Sequence, residues 1–192
     1  MPRHPWPERL ETGRLTLRPL EAGDLPVLVR LIGEWEVSRW LIHVPHPYTD
    51  RDAAGWLAAT RAWVRERRGL HLVAVPHGEA GMVGAVGLRH EPVALGQGEG
   101  ELGYWLARHA WGRGYGTEMA RAMVDAGFRH MGLRAVQAGT DPANDASHRV
   151  LLKAGLEFTH VDPLHTQGLR GPPSPGRRYR ITREEWEARD GR

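Results

Sequence analysis

The residues with the clearest chemical potential lie between Glu101 and Ala120, a stretch that reads E-L-G-Y-W-L-A-R-H-A-W-G-R-G-Y-G-T-E-M-A. A short apolar run ends in a turn, and Gly112, Gly114 and Gly116 then lead straight into an amphipathic helical pattern. Unpaired backbone N–H groups and the positive end of a helix together make a seat for phosphate. Glycines at alternate positions let the backbone approach a ligand with no Cβ in the way. The chemistry expected here is capture of a nucleotide-like cofactor by its phosphates. Downstream, Asn144 and Ser147 stand three apart at the start of a short helical pattern, on one face of it. They also fit the N-cap and N3 positions of that helix.

Competing motifs do not match. A dinucleotide fingerprint needs G-x-G-x-x-G, but the third glycine arrives one place early and Thr117 takes its slot. The chain contains no G-K-[ST], H-R-D, D-F-G or G-x-S-x-G, which argues against P-loop, kinase and serine-hydrolase chemistry. Its 11 histidines include no H-E-x-x-H, so no metal is expected. The absence of cysteine excludes disulfides, thiolate metal sites and a cysteine nucleophile.

With 192 residues, one domain spanning 1–192 is expected. The net charge of +3 is small, and the run Arg65 to Arg68 reads as a solvated face, so no nucleic-acid partner is expected. No apolar window is long enough to span a membrane, and Met1 to Leu10 lacks the apolar core of a secretory signal. A cytoplasmic location follows as the default. A monomer and a homodimer fit equally well.

The elements that must position these residues follow from periodicity. Thr12 to Leu20 alternates like a half-buried strand, and Asp24 looks like the N-cap of a helix through Ile32. Trp35 to Tyr48 shows no clean period. Thr49 and Asp52 form a variant capping box, with Ala53, Trp56, Leu57, Trp63 and Val64 on the buried face of the next helix. Strands are expected at Leu70 to Val75, Gly81 to Arg89 and, after a hairpin loop from Glu91 to Gly100, at Glu101 to Leu106. A long helix from about Thr117 presents Met119, Ala120, Met123, Val124 and Phe128, and Gly132 stops it. Its other face carries Arg121, Asp125 and Arg129 as an i, i+4 ladder. Arg134 to Thr140 is a strand, followed by a turn and a short helix to Ala154. A strand near Leu156 to Val161, a loop from Gly168 to Gly176 and a strand near Tyr179 to Ile181 come next. A last helix is capped by Thr182 with Glu185. The fold class is mixed α/β (α+β), a mostly antiparallel central sheet flanked by helices.

Four segments in order, T-G-R-L-T-L-R-P-L, E-L-G-Y-W-L with W-G-R-G-Y-G-T-E, D-P-A-N-D-A-S-H-R-V-L-L-K-A-G-L-E-F and Y-R-I-T-R-E-E-W, resemble the GNAT acetyltransferase superfamily and its RimJ/RimL-type branch. The resemblance covers nearly the whole chain. Trp111 occupies the first place of the loop pattern [QR]-x-x-G-x-[GA], a replacement common in that branch.

The resemblance implies acetyl-CoA as acetyl donor, its pyrophosphate against the backbone of Trp111, Gly112, Arg113, Gly114, Tyr115, Gly116 and Thr117. The pantetheine arm would pair with the exposed edge of Tyr104, Trp105 and Leu106 where the central strands splay, with Asn144 bonding the arm. The Leu106 N–H would polarise the thioester carbonyl. Glu101 is the implied general base, with Glu99 the alternative, and Ser147 the implied donor to the leaving thiolate. Trp35, Trp40 and His43, with His46, fall where the branch forms its acceptor pocket. The implied activity is acetyl transfer to a primary amine, a protein N-terminus such as that of a ribosomal protein, or a small amine. The alternative is a catalytically silent acyl-CoA-binding regulatory module.

Overall fold

The computed structural model describes residues 6–90, 98–164 and 174–190. The strands are β1 (Leu10–Glu11), β2 (Leu15–Arg18), β3 (Gly69–Pro76), β4 (Gly84–Arg89), β5 (Glu99–Leu106), β6 (Ala135–Thr140), β7 (Glu157–Asp162) and β8 (Gly176–Thr182). The helices are α1 (Leu25–Gly33), α2 (Trp35–Ser38), α3 (Asp50–Arg65), α4 (Tyr115–Arg129), α5 (Asp145–Lys153) and α6 (Arg183–Asp190). The strands form one sheet of eight in the order β1-β2-β3-β4-β5-β6-β8-β7. Every pairing is antiparallel except β5 with β6.

The sheet is covered on both faces. On one, Met119, Met123 and Phe128 of α4 pack on Leu17, Leu72, Leu88 and Val136, all essentially without exposure. On the other, Leu28 and Ile32 of α1 with Ala53 and Leu57 of α3 pack on Val73 and Ala85. Strand β3 is accordingly apolar at almost every position, as a strand buried on both sides must be.

Local signals placed several boundaries. Thr49 and Asp52 bond each other's backbone N–H groups in a reciprocal capping box that starts α3. Asn144 caps α5 by accepting from Ser147 N at 3.0 Å. Gly132 and Gly155, at φ +72° and +98°, end α4 and α5 in conformations that favour glycine. Thr182 and Glu185 form the expected box before α6.

Other expectations need correction. Asp24 stands at the N-cap position of α1 as expected, but its carboxylate makes no cap bond to that helix: it accepts from Arg18 at 2.7 Å on both oxygens and from Glu21 N at 2.9 Å. That carboxylate closes the 3-10 turn Ala22–Asp24 that leads into the helix, and Pro26 lies in the first turn of α1. The segment Trp35 to Tyr48 contains α2, Val64 is 43% exposed, and α4 begins at Tyr115. Arg121, Asp125 and Arg129 each reach another element: the Lys153 carbonyl, the Trp186 indole N–H and the Trp186 ring. Of the two long loops, residues 91–97 and 165–173 lie outside the described residues.

One glycine holds β4 against β5 beside the site. A Cβ at Gly84 would stand 2.3 Å from the Trp105 carbonyl oxygen, a backbone atom that cannot yield locally. Gly84→Ala is expected to destabilise the fold by about 3 kcal/mol, the upper range for overpacking; denaturant titration checks it, and an unchanged midpoint would refute the close approach.

Candidate active site

The register of β5 with β6 covers only Glu99–Glu101 against Ala135–Gln137. Beyond Glu101 the two strands part, and a cleft of about 1660 Å³ opens between them. Clefts for one small ligand run to about 300–1,000 Å³, so this one has room for two substrates. Ala107 N bonds Val83 O at 2.8 Å, across to the β4 side. Backbone groups alternate sides along an antiparallel strand, so those of Tyr104 and Leu106 face the parted edge. The Leu106 carbonyl takes the indole N–H of Trp111 at 2.8 Å. The N–H of Leu106 and the peptide groups of Tyr104 thus form a strand edge suited to a ligand's amides.

At one end of the cleft lies the loop into α4. Gly112 and Gly114 adopt φ +74° and +81°, and Gly114 is the residue that caps the helix. Gly116 is glycine for a different reason than expected: it lets α4 approach α5, where a Cβ would meet Val150 at 3.2 Å. The cap carries no side-chain partner, so the first N–H groups of α4 depend on the loop or on an anion.

The loop is braced from the turn between β1 and β2. Arg14 donates from Nη1 to the Arg113 carbonyl at 2.8 Å and lies over the Tyr115 ring at 5.0 Å. Glu118 accepts from Arg14 Nε at 2.7 Å, Arg14 N at 2.8 Å and Thr12 Oγ1 at 2.7 Å. Burial alone would raise the Glu118 pKa, but these bonds outweigh it and hold the carboxyl below its ordinary value. Its contribution to stability is therefore present above the ordinary pKa of 4.5 and is lost as pH falls through the lowered folded value. Thermal melts from about pH 6 to about pH 3 are expected to show this acid-side loss, and Glu118→Gln to flatten it. Parallel pH profiles for the two proteins would remove Glu118 from the account.

Ser147 faces β5 from the first turn of α5. Its Oγ lies 2.8 Å from the Tyr104 hydroxyl, which also donates to the Ser147 carbonyl at 3.2 Å. Burial pushes the Tyr104 phenol well above its usual range, against the pull of the Ser147 bond, so it stays protonated at any working pH.

Two carboxylates mark the point of parting. Glu101 borders the cleft and receives both Nη groups of Arg178 at 2.8 Å. Glu99 is one row further back, bonded by Arg180 at 2.8 Å and by Gln137. The Arg180 hydrogen bond, larger than the opposing burial, holds the Glu99 carboxyl below its usual value.

Among the expected site residues, Tyr104, Trp105, Leu106, Trp111, Gly112, Gly114, Gly116, Thr117, Asn144, Glu101 and Ser147 all border this cleft, as do Trp40 and His43. Arg113 and Tyr115 instead sit on the outer side of the loop with Arg14. Trp35 is also misplaced: it is 51% exposed and leans on His46, with ring centroids 5.1 Å apart. Trp56 and Trp63, expected in the core, are half-buried on the cleft wall beside the half-buried His71, and Trp56 also packs against the core beneath α1 and α3. The Arg14 brace, Arg178 and the Tyr104 phenol gave no signal of their own. The residues they meet are remote in sequence, 104 positions away for Arg14 and Glu118.

A sheet split beside a glycine-capped helix leaves room for a long phosphate-bearing donor and a second substrate, the layout of an acyl-transferring enzyme. The profile of the Acetyltransferase (GNAT) domain matches residues 14–157. The chain belongs to the GNAT acetyltransferase family, enzymes whose donor is acetyl-CoA. It is 28% identical over 145 residues to the uncharacterized N-acetyltransferase p20 of Bacillus licheniformis, covering 75% of this chain and 79% of that protein. In fold it is similar to Mycobacterium smegmatis RimJ in complex with CoA-disulfide, at TM-score 0.80 and 22% identity over 95% of this chain and 91% of that one. It is also similar to RimL, a ribosomal L7/L12 alpha-N-protein acetyltransferase solved with coenzyme A, at TM-score 0.76 and 16% identity over 91% and 98% of the two chains. Among the described residues no helix is long and apolar enough to cross a membrane.

Proposed function

We propose that the protein acetylates a primary amine by direct attack on the thioester of acetyl-CoA, with no covalent acyl-enzyme. The observation that carries this reading is the pairing of two proton-handling groups across one cleft: Glu101 at its root and the Tyr104–Ser147 hydroxyl pair on its wall. Amines of the α-amino or lysine type hold a proton at neutral pH, with pKa values of about 8 and about 10. Glu101, pinned by Arg178, takes the surplus proton directly or through water. The nitrogen lone pair then forms a bond to the acetyl carbon, and the Leu106 N–H supports the negative charge on the carbonyl oxygen. As the carbon–sulfur bond breaks, Ser147 gives its proton to the thiolate and recovers, through water, the proton that the attacking nitrogen sheds on becoming an amide, while Tyr104 holds the serine oxygen by a hydrogen bond. Asn144 spends its Oδ1 on capping α5, so its amide N–H groups are the part offered to the pantetheine arm.

The likeness to RimL favours the α-amine of a polypeptide as one acceptor, and a free small amine uses the same chemistry. Release of CoA thiol with peptides and small amines tests the activity. Tight acetyl-CoA binding with no turnover on any amine would overturn it.

A further inference from the structure

On the sheet face that carries α1 and α3, side chains can be followed in rows across the strands. In one row Arg89 of β4 stands beside Glu101 of β5, and four residues along, Ala85 stands beside Trp105. Between them runs the row His71, Gly87, Gly103, one residue from each of β3, β4 and β5. Two adjacent glycines leave bare backbone between Arg89 and Glu101 on one side and Ala85 and Trp105 on the other. A Cβ at Gly103 would meet no atom within 4 Å, while one at Gly87 would stand 3.0 Å from His71 Cδ2. The result is a trough that starts at the splay and ends on the His71 ring, two strand spacings or about 10 Å away.

The roof comes from α3. Trp56 meets Trp63 edge to face at 5.1 Å and His71 in the same manner at 5.0 Å. Arg89 lies over the Trp63 ring at 5.7 Å. All of these residues border the cleft. Such walls suit a flat ring, which fits over glycine backbone and meets the indoles edge to face.

We propose that this trough is the acceptor's specificity subsite and that the acceptor class is an arylalkyl primary amine. Its nitrogen lies beside Glu101 and its ring lies over Gly87, against Trp56 and ending on His71. The proposal rests on the acetyltransferase reading of the same cleft. Burial brings the His71 pKa down to about 4, so the inner end is a neutral imidazole, and the Arg89 guanidinium lies over the Trp63 ring of the same roof. A second cation, such as the far end of a polyamine, is therefore disfavoured there. His71 Nδ1 is buried and has no hydrogen-bond partner among the described residues. Turning the ring about Cβ–Cγ moves that nitrogen to the edge now facing Gly87. A phenol or indole N–H on the acceptor can donate to it there.

The same chemistry is presented by a free amine and by the aromatic first residue of a peptide, so the test carries both. CoA release is measured with tyramine, phenethylamine, butylamine, spermidine and peptides beginning with Tyr or Ala. Either tyramine or the Tyr peptide is expected to exceed butylamine, spermidine and the Ala peptide by about tenfold or more in kcat/KM. Whichever of the two is better identifies the source. In Gly103→Val the ratio of aromatic to aliphatic kcat/KM is expected to collapse toward one. In His71→Leu the advantage of tyramine over phenethylamine is expected to vanish. A flat profile, a preference for spermidine or the Ala peptide, or an intact ratio in Gly103→Val overturns the proposal. Tryptophan fluorescence of the CoA-bound protein titrated with tyramine reads the subsite without turnover. A saturable change lost in Gly103→Val supports the trough even if no amine is acetylated. Turnover of aliphatic amines without tyramine binding overturns the trough and leaves the acetyltransferase reading standing.

Discussion

Gly114→Val is expected to leave a folded protein whose affinity for acetyl-CoA is lower by about 100-fold or more. The loop holds residue 114 at φ +81° as the cap of α4. For a β-branched residue that conformation costs about 1–2 kcal/mol or more, which alone accounts for roughly tenfold. The rest comes from the ligand side, because a loop that relaxes to negative φ turns the first N–H groups of α4 away from the pyrophosphate. The side chain would also press on the Arg14 brace, whose Nη2 stands 3.2 Å from where the Cβ would be. Gly114→Ala, with a smaller strain penalty, should fall between valine and the parent. Calorimetric titration with acetyl-CoA checks the series, and retained affinity in the valine variant would refute the assignment of the loop.

Ser147→Ala is expected to divide binding from chemistry. Turnover should fall by about 100-fold, the lower end for a general acid, because a thiolate with a pKa near 8.5 is already a fair leaving group. Acetyl-CoA affinity should stay within about twofold, since the proposed role of the hydroxyl arises only as the carbon–sulfur bond breaks. The cap of α5 survives, because Asn144 bonds the Ser147 backbone N–H and not its side chain. Tyr104 keeps its second acceptor, the Ser147 carbonyl at 3.2 Å, so the phenol is not orphaned. Tyr104→Phe should lower turnover less, because Ser147 keeps its proton and loses only the partner that orients it. Unchanged turnover in Ser147→Ala would assign the serine to capping alone.

What could be read from the sequence was what neighbours in the chain decide. The glycine loop, the box at Thr49 and Asp52, the Asn144 cap and the stop at Gly132 each depend on residues within a turn, and each is present. The splayed sheet came through resemblance, and its register agrees with it. What could not be read depends on partners brought together by folding. Asp24 holds the N-cap position that its type suggests, yet its carboxylate goes to Arg18 and the Glu21 N–H and not to the helix it precedes. Trp56 and Trp63 have core spacing, but spacing gives a face and not what lies opposite it. Opposite these two runs a row of glycines from separate strands. The placement of Trp35 failed for the same reason, since an aperiodic segment does not say which of its aromatics turns inward.

The short register between β5 and β6 has a consequence for stability. In hydrogen-bonding terms the sheet is two half-sheets, β1 to β5 and β6 with β8 and β7, laced by three residue pairs at one end. On the proposed binding mode, pantetheine along the Tyr104 and Leu106 edge would extend that lacing toward the open end, so the donor would serve as an added strand as well as a reactant. The melting temperature should then rise with CoA as well as with acetyl-CoA, because the brace is the arm and not the acetyl group.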